Sequence, residues 1–141
     1  MDSTESSDPY FVDEIRNRLY HIRNENFGRD LPANNIQRGR DHAIAGYAHY
    51  LNFCFGFKVK SWDDFVTFIP KKQVKKIRAF YRHWNDVDLF VGGISERLIG
   101  GASFGPTFAC INGIQFYNFK YGDRFYFEHG NEAGSFSLGI I

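Results

Sequence analysis

Residues 30–47 read Asp30-Leu31-Pro32-Ala33-Asn34-Asn35-Ile36-Gln37-Arg38-Gly39-Arg40-Asp41-His42-Ala43-Ile44-Ala45-Gly46-Tyr47. From Asn35 to His42, six of eight side chains are polar or charged, between flanks that read as ordinary amphipathic helix. Apolar burial does not account for that density. Two arginines, an aspartate, an amide pair and a histidine form one of two things. One is an ion-pair and hydrogen-bond network in which Arg40 and Asp41 pair at a helix start. The other is the wall of a polar site, because guanidinium groups grip carboxylates through two parallel hydrogen bonds.

The chain around this stretch has 141 residues, the size of a single domain or part of one. Its net charge of +1 calls for neither nucleic acid nor an anionic membrane as partner. The aromatic share is high, with 16 Phe, 8 Tyr and 2 Trp. That implies either a strongly aromatic core or surface intended for partner segments. No apolar run is long enough to span a bilayer. The first residues, Met-Asp-Ser-Thr-Glu-Ser-Ser-Asp, lack the basic and apolar regions of a signal peptide. The two cysteines, Cys54 and Cys110, could on their own be buried thiols of a cytosolic protein.

Patterning predicts a mainly helical chain. Residues 1–7 read as disordered. Asp8 and Pro9 open a helix as N-cap and first position, with Phe11, Ile15, Leu19 and Ile22 on one face and an end between His21 and Asn24. A loop covers Asn24 to Ala33, and a short helix starts at Asn34 or Asn35. A helix from Ile44 to Phe55 follows, closed at Gly56. Ser61-Trp62-Asp63-Asp64 is a capped start. Pro70 restarts the chain into a helix with Val74, Ile77, Phe80 or Tyr81, and Trp84 on one face. Lys71, Lys72, Lys75 and Lys76 lie opposite. Without an aromatic platform beside them, those lysines read as solvated surface rather than a nucleic-acid patch. Asn85 to Gly105 reads as irregular and glycine-rich, without the spacing of a phosphate loop. Gly105-Pro106 opens the last helix, Thr107 to Tyr121, stopped by Gly122. Phe125-Tyr126-Phe127 reads as a short strand or extended segment, and the tail from Gly130 as loose.

The order of residues from Asn35 to His42, with Asp30-Leu31-Pro32 before and Gly46-Tyr47 after, closely resembles the animal haem peroxidase family. Three later stretches match that family in the same order. They are Asp86-Val87-Asp88-Leu89-Phe90-Val91-Gly92-Gly93, Gly105-Pro106-Thr107-Phe108-Ala109-Cys110, and Tyr121-Gly122-Asp123-Arg124-Phe125-Tyr126-Phe127-Glu128. The resemblance runs from about Asp8 to Ser137 and implies a partial domain over residues 8–137. The implied fold is mainly α, the C-terminal fragment of the animal haem peroxidase helical domain. Asn34, Ala43, Ala45 and His129 depart from the family pattern.

The resemblance implies a haem-dependent peroxidase that oxidises a small-molecule or protein donor with hydrogen peroxide. It assigns the catalytic histidines and arginine, the acidic haem-linking residues and the calcium site to segments upstream. No catalytic residue and no metal ligand is then expected here, and His21, His42, His49, His83 and His129 match none of those roles. What remains is support for the haem's proximal side. Asn35 matches the asparagine that hydrogen-bonds the proximal histidine, Arg38 the arginine that pairs with a haem propionate, and Leu31 an apolar residue against the haem. Arg40, Asp41 and His42 belong to the same motif as structural residues. Asp86, Asp88, Asp123, Arg124 and Glu128 read as a buried or half-buried polar frame. Cys54 and Cys110 match a pair that the family joins as a disulfide, closing a loop of about 56 residues and contributing about 4 kcal/mol by chain entropy. An oxidising, extracellular compartment follows, and the missing signal peptide suggests a fragment or incomplete gene model. The alternative is a truncated, catalytically inactive peroxidase-like protein with weak or no haem binding.

Overall fold

The computed structural model of the chain describes residues 8–130 and Glu132. The disorder expected at residues 1–7 falls outside them, as does the tail expected beyond Gly130 apart from Glu132. The chain divides into two compact units, Met1–Thr107 and Phe108–Ile141. The described residues form six α-helices and two 3-10 turns, with no strand among them, so the mainly helical expectation holds.

Near the start, the long first helix is not formed. Asp8 accepts a hydrogen bond from the Tyr10 amide (2.8 Å) in a local turn instead of capping a helix. Helix α1 is confined to Asp13–Arg16. Tyr20 adopts a left-handed conformation (φ 53°), and Leu19 pairs with Arg29 across an antiparallel bridge. Both break the helical periodicity that Leu19 and Ile22 suggested.

Helix α2 (Leu31–Asp41) begins earlier than Asn34 or Asn35. The Asp30 carboxylate accepts from the Ala33 amide (2.9 Å), and Pro32 sits in the first turn, where its missing N–H leaves nothing unpaired. Ala43 at φ 55° turns the chain after α2, so α3 starts at Tyr47, not Ile44, and runs to Phe55. Gly56 closes it in the left-handed conformation (φ 64°) that glycine enters without steric cost. The expected capping box is present: Ser61 and Asp64 exchange side-chain and backbone hydrogen bonds around the 3-10 turn Trp62–Thr67.

Helix α4 (Lys71–Phe80) buries Val74 and Ile77 and exposes its lysines, as expected. It stops before Tyr81, and Phe80 is 88% exposed. Trp84 belongs to a separate 3-10 turn, Trp84–Asp86. The segment expected to be irregular contains helix α5 (Leu89–Ile94). Helix α6 (Pro106–Gly122) is one residue longer at each end than expected.

In the first unit, Tyr47, Leu51, Phe65, Ile69 and Val87 are fully buried. Tyr47 and Phe65 meet at 5.2 Å between ring centroids, and Trp62 meets Phe65 edge-on. Part of the aromatic excess is therefore core. The same tyrosine explains Gly92, because a Cβ there would collide with the Tyr47 ring. Glycine lets the α5 backbone lie directly on α3. Nearby, the buried Glu96 carboxylate accepts from the Tyr47 hydroxyl (2.7 Å), the Thr107 hydroxyl (2.6 Å) and the Thr107 amide (2.9 Å). Three donors satisfy a group that would be costly to bury unpaired. Burial, followed by the neighbouring carboxylate, raises the Tyr47 phenol far above its ordinary range.

In the second unit, α6 continues as a helix with exposed Phe116, Tyr117, Phe119 and Tyr121. Residues expected as a strand, Phe125 to Phe127, lie in turns held by the Asp123 carboxylate on the Phe125 amide (2.9 Å). Both cysteines, Cys54 and Cys110, are disulfide-bonded, as the resemblance implied.

The glycines give a paired test of the core. Gly92→Ala should lower stability by about 1–3 kcal/mol through overpacking against Tyr47. A Cβ at Gly39, inside α2, meets nothing within 4 Å, so Gly39→Ala should stabilise by about 0.5–1 kcal/mol. Urea unfolding midpoints check this. An unchanged or raised midpoint for Gly92→Ala would refute the close approach at Gly92.

Candidate functional site

Leu31, Asn35 and Arg38 fall within about 60° of one another around an α-helix of 3.6 residues per turn. Arg40 falls on the opposite side of the same helix. Leu31 and Asn35 are half-buried and Arg38 is exposed. The three residues singled out for haem support thus share one edge of α2. Asn34, the departure from the family pattern, is exposed.

Arg40 fixes that edge. Its Nε donates to Asp88 Oδ1 (2.9 Å) and its Nη2 to Asp88 Oδ2 (2.7 Å), a two-pronged grip on the residue before α5. The Tyr81 hydroxyl donates to the same Oδ2 (2.6 Å). The expected partner, Asp41, is exposed and does not pair with Arg40: it lies at the end of α2, one residue along, where its side chain points elsewhere on the helix. Asp88 is also backbone-tied, bridging to Gly46 beside the hydrogen bond from the Tyr47 amide to the Val87 carbonyl (2.8 Å). Asp88 therefore joins α2 and the segment after α4 through its carboxylate, and the start of α3 through its backbone.

The polar frame shrinks accordingly. Asp88 is half-buried, with 15% of its side chain exposed. Asp86, Asp123, Arg124 and Glu128 are exposed, because turns and helix ends carry them instead of a packed strand. Glu128 pairs with Lys120 within the second unit. Among the histidines, the His42 ring nitrogen Nδ1 lies 2.9 Å from the Arg38 carbonyl at the end of α2. His83 accepts from the Asn85 amide. Among the described residues no group of three His, Cys, Asp or Glu side chains is placed to hold a metal ion. Sequence patterning missed Glu96, an isolated acid between glycines without a periodic signal, and treated Tyr81 only as a possible helix-face residue.

Electrostatics follow the contacts. Desolvation works to raise the Asp88 pKa, but the hydrogen bonds from Arg40 and Tyr81 outweigh it and hold the carboxyl below its ordinary value. Burial, then the hydrogen bond to Asp88, pushes the Tyr81 phenol up from 10.0 to about 12. The raised value makes neutral Tyr81 favourable to the fold. That contribution is complete below pH 10 and falls as pH rises towards about 12, where the unfolded phenol is ionised and the folded one still protonated. Tyr81→Phe should therefore flatten the loss of stability between pH 10 and 12 seen in urea midpoints. Superimposable profiles for the two proteins would remove the Tyr81–Asp88 bond.

The family described as animal haem peroxidase matches residues 1–139. A peroxidase of Drosophila melanogaster is 39% identical over 133 residues, covering 94% of this chain and 19% of that protein. Chorion peroxidase of the same fly is 43% identical over 105 residues, covering 74% and 12%. Thyroid peroxidase of Sus scrofa is 35% identical over 123 residues, covering 86% and 13%. The chain thus spans less than a fifth of the length of these curated relatives. Among solved structures, peroxidase A of Dictyostelium discoideum superposes with a TM-score of 0.73 at 32% identity, over 88% of this chain and 24% of that one. The fatty acid alpha-dioxygenase of Oryza sativa gives 0.59 at 27%, over 75% and 17%. The ordered motifs, the helical architecture and these matches agree: the chain belongs to the animal haem peroxidase family.

Proposed function

We propose that this chain supplies the proximal-side wall of the haem pocket in a peroxidase that oxidises a small-molecule or protein donor with hydrogen peroxide. The observation that carries this reading is the two-sided α2. Arg40 is committed to Asp88, while Asn35 and Arg38, on the other side, make no side-chain hydrogen bond or ion pair among the described residues. A half-buried amide and an uncommitted guanidinium on one helix edge fit a group that offers both an imidazole N–H and a carboxylate.

Haem, when bound, supplies the redox chemistry with peroxide. Arg38 would bind a propionate through its planar fork. Asn35 would accept a hydrogen bond from the outer ring nitrogen of the iron's imidazole, which fixes the ring's orientation and raises its basicity. Leu31 would close the wall with apolar contact. The resemblance assigns the imidazole itself to a segment upstream. The disulfide supports an oxidising, extracellular setting.

Free imidazole can stand in for the missing ligand. We expect hemin alone to give no histidine-type Soret band with this chain and no turnover of a phenolic donor. With imidazole added, hemin should bind, and Arg38→Ala and Asn35→Ala should each weaken binding about tenfold. A histidine-type band without imidazole would implicate one of the five histidines. Unchanged affinity in both variants would dismiss the assignments of Asn35 and Arg38.

A further inference from the structure

We propose that Tyr117 and Tyr121 form an oxidative coupling site, which a haem peroxidase supplied with hydrogen peroxide joins into a dityrosine within one chain. The two residues are one helical turn apart in α6, where side chains at this spacing face each other. Their ring centroids lie 4.7 Å apart with 45° between planes, close to what a bond between ortho carbons requires. The rings are 63% and 64% exposed, so an external oxidant reaches both. No other pair of tyrosine rings is in contact among the described residues.

The remaining tyrosines are less suited; Tyr50 and Tyr126 are half-buried, and the rings they touch are not tyrosines. Tyr47 is buried and donates to Glu96. Tyr81 is half-buried and donates to Asp88. The Tyr10 hydroxyl accepts from Lys76 (3.1 Å) and Gln73 (3.3 Å). Tyr20 is exposed but has no tyrosine neighbour. Lys120 lies above the Tyr121 ring at 5.9 Å, and its charge is answered by Glu128.

The step balances. Each phenol gives up one electron and its hydroxyl proton, leaving two phenoxyl radicals. These join through a carbon–carbon bond between ortho positions. The two ring hydrogens move to the oxygens and restore both phenols. The chain loses two hydrogen atoms in all, and hydrogen peroxide takes them up to become two waters. The helix replaces a bimolecular encounter of radicals with an intramolecular one, which is the source of selectivity.

The test supplies the oxidant from outside, so its outcome is independent of whether this chain holds haem. The full chain is treated at low concentration with a separate haem peroxidase and hydrogen peroxide, with free tyrosine coupled in a parallel tube as control. Dityrosine fluorescence should rise at a rate per chain independent of chain concentration. Peptide mapping should locate the link between 117 and 121, at a yield about tenfold above any link through Tyr10 or Tyr20. Tyr117→Phe and Tyr121→Phe should each remove it, and Tyr20→Phe should not. Absence of the link while free tyrosine is coupled would overturn the proposal, as would links that grow with chain concentration or run mainly through Tyr10 and Tyr20.

Discussion

A carboxylate largely withdrawn from water has to be answered by donors, and Asp88 is answered from two directions, by the Arg40 guanidinium and the Tyr81 hydroxyl. Arg40 remains 59% exposed, so solvent screens the pair and its contribution to stability is at most about 1 kcal/mol. Its importance is geometric. Two parallel hydrogen bonds fix the rotation of α2 about its own axis in a way that a single point charge does not. That rotation decides where Leu31, Asn35 and Arg38 stand.

The second constraint is the ring of Tyr47. It fills the core against Phe65, donates its hydroxyl to Glu96 and lies beneath the backbone of α5. Gly92 permits this approach, and Gly105 permits another, since a Cβ there would strike the Glu96 side chain. Interior packing is close to crystalline density, so such glycines are steric requirements. Asp88 and Tyr47 meet through the backbone at the start of α3, which couples the polar tie to the apolar core.

Helix α6 follows a different rule. Its apolar residues do not gather on one side, and several of its rings are exposed. The chain spans less than a fifth of its curated relatives, and the high aromatic content read from composition divides between a real core in the first unit and these exposed rings.

Local chemistry made several elements legible in advance. Ser61 and Asp64 cap their turn through their own backbone, Gly56 closes α3 because it alone enters the left-handed region freely, and α4 separates lysines from valine and isoleucine at helical period. Residue order by itself also identified the family, and through it the pairing of the cysteines. Contacts distant in sequence were not legible. Arg40 and Asp88 are 48 positions apart, Tyr47 and Glu96 49, and no local pattern selects Asp88 over the adjacent Asp41. The first helix failed for the same reason in reverse: its periodicity was sound, but the Leu19–Arg29 bridge and the turn at Tyr20 won. The sequence alone determined helix type, the capping box of Ser61 and Asp64, the close of α3 at Gly56 and the family, because those depend on neighbours along the chain. Tertiary structure alone decided which arginine is anchored and which makes no side-chain hydrogen bond or ion pair among the described residues, because that depends on a carboxylate 48 positions away in the chain.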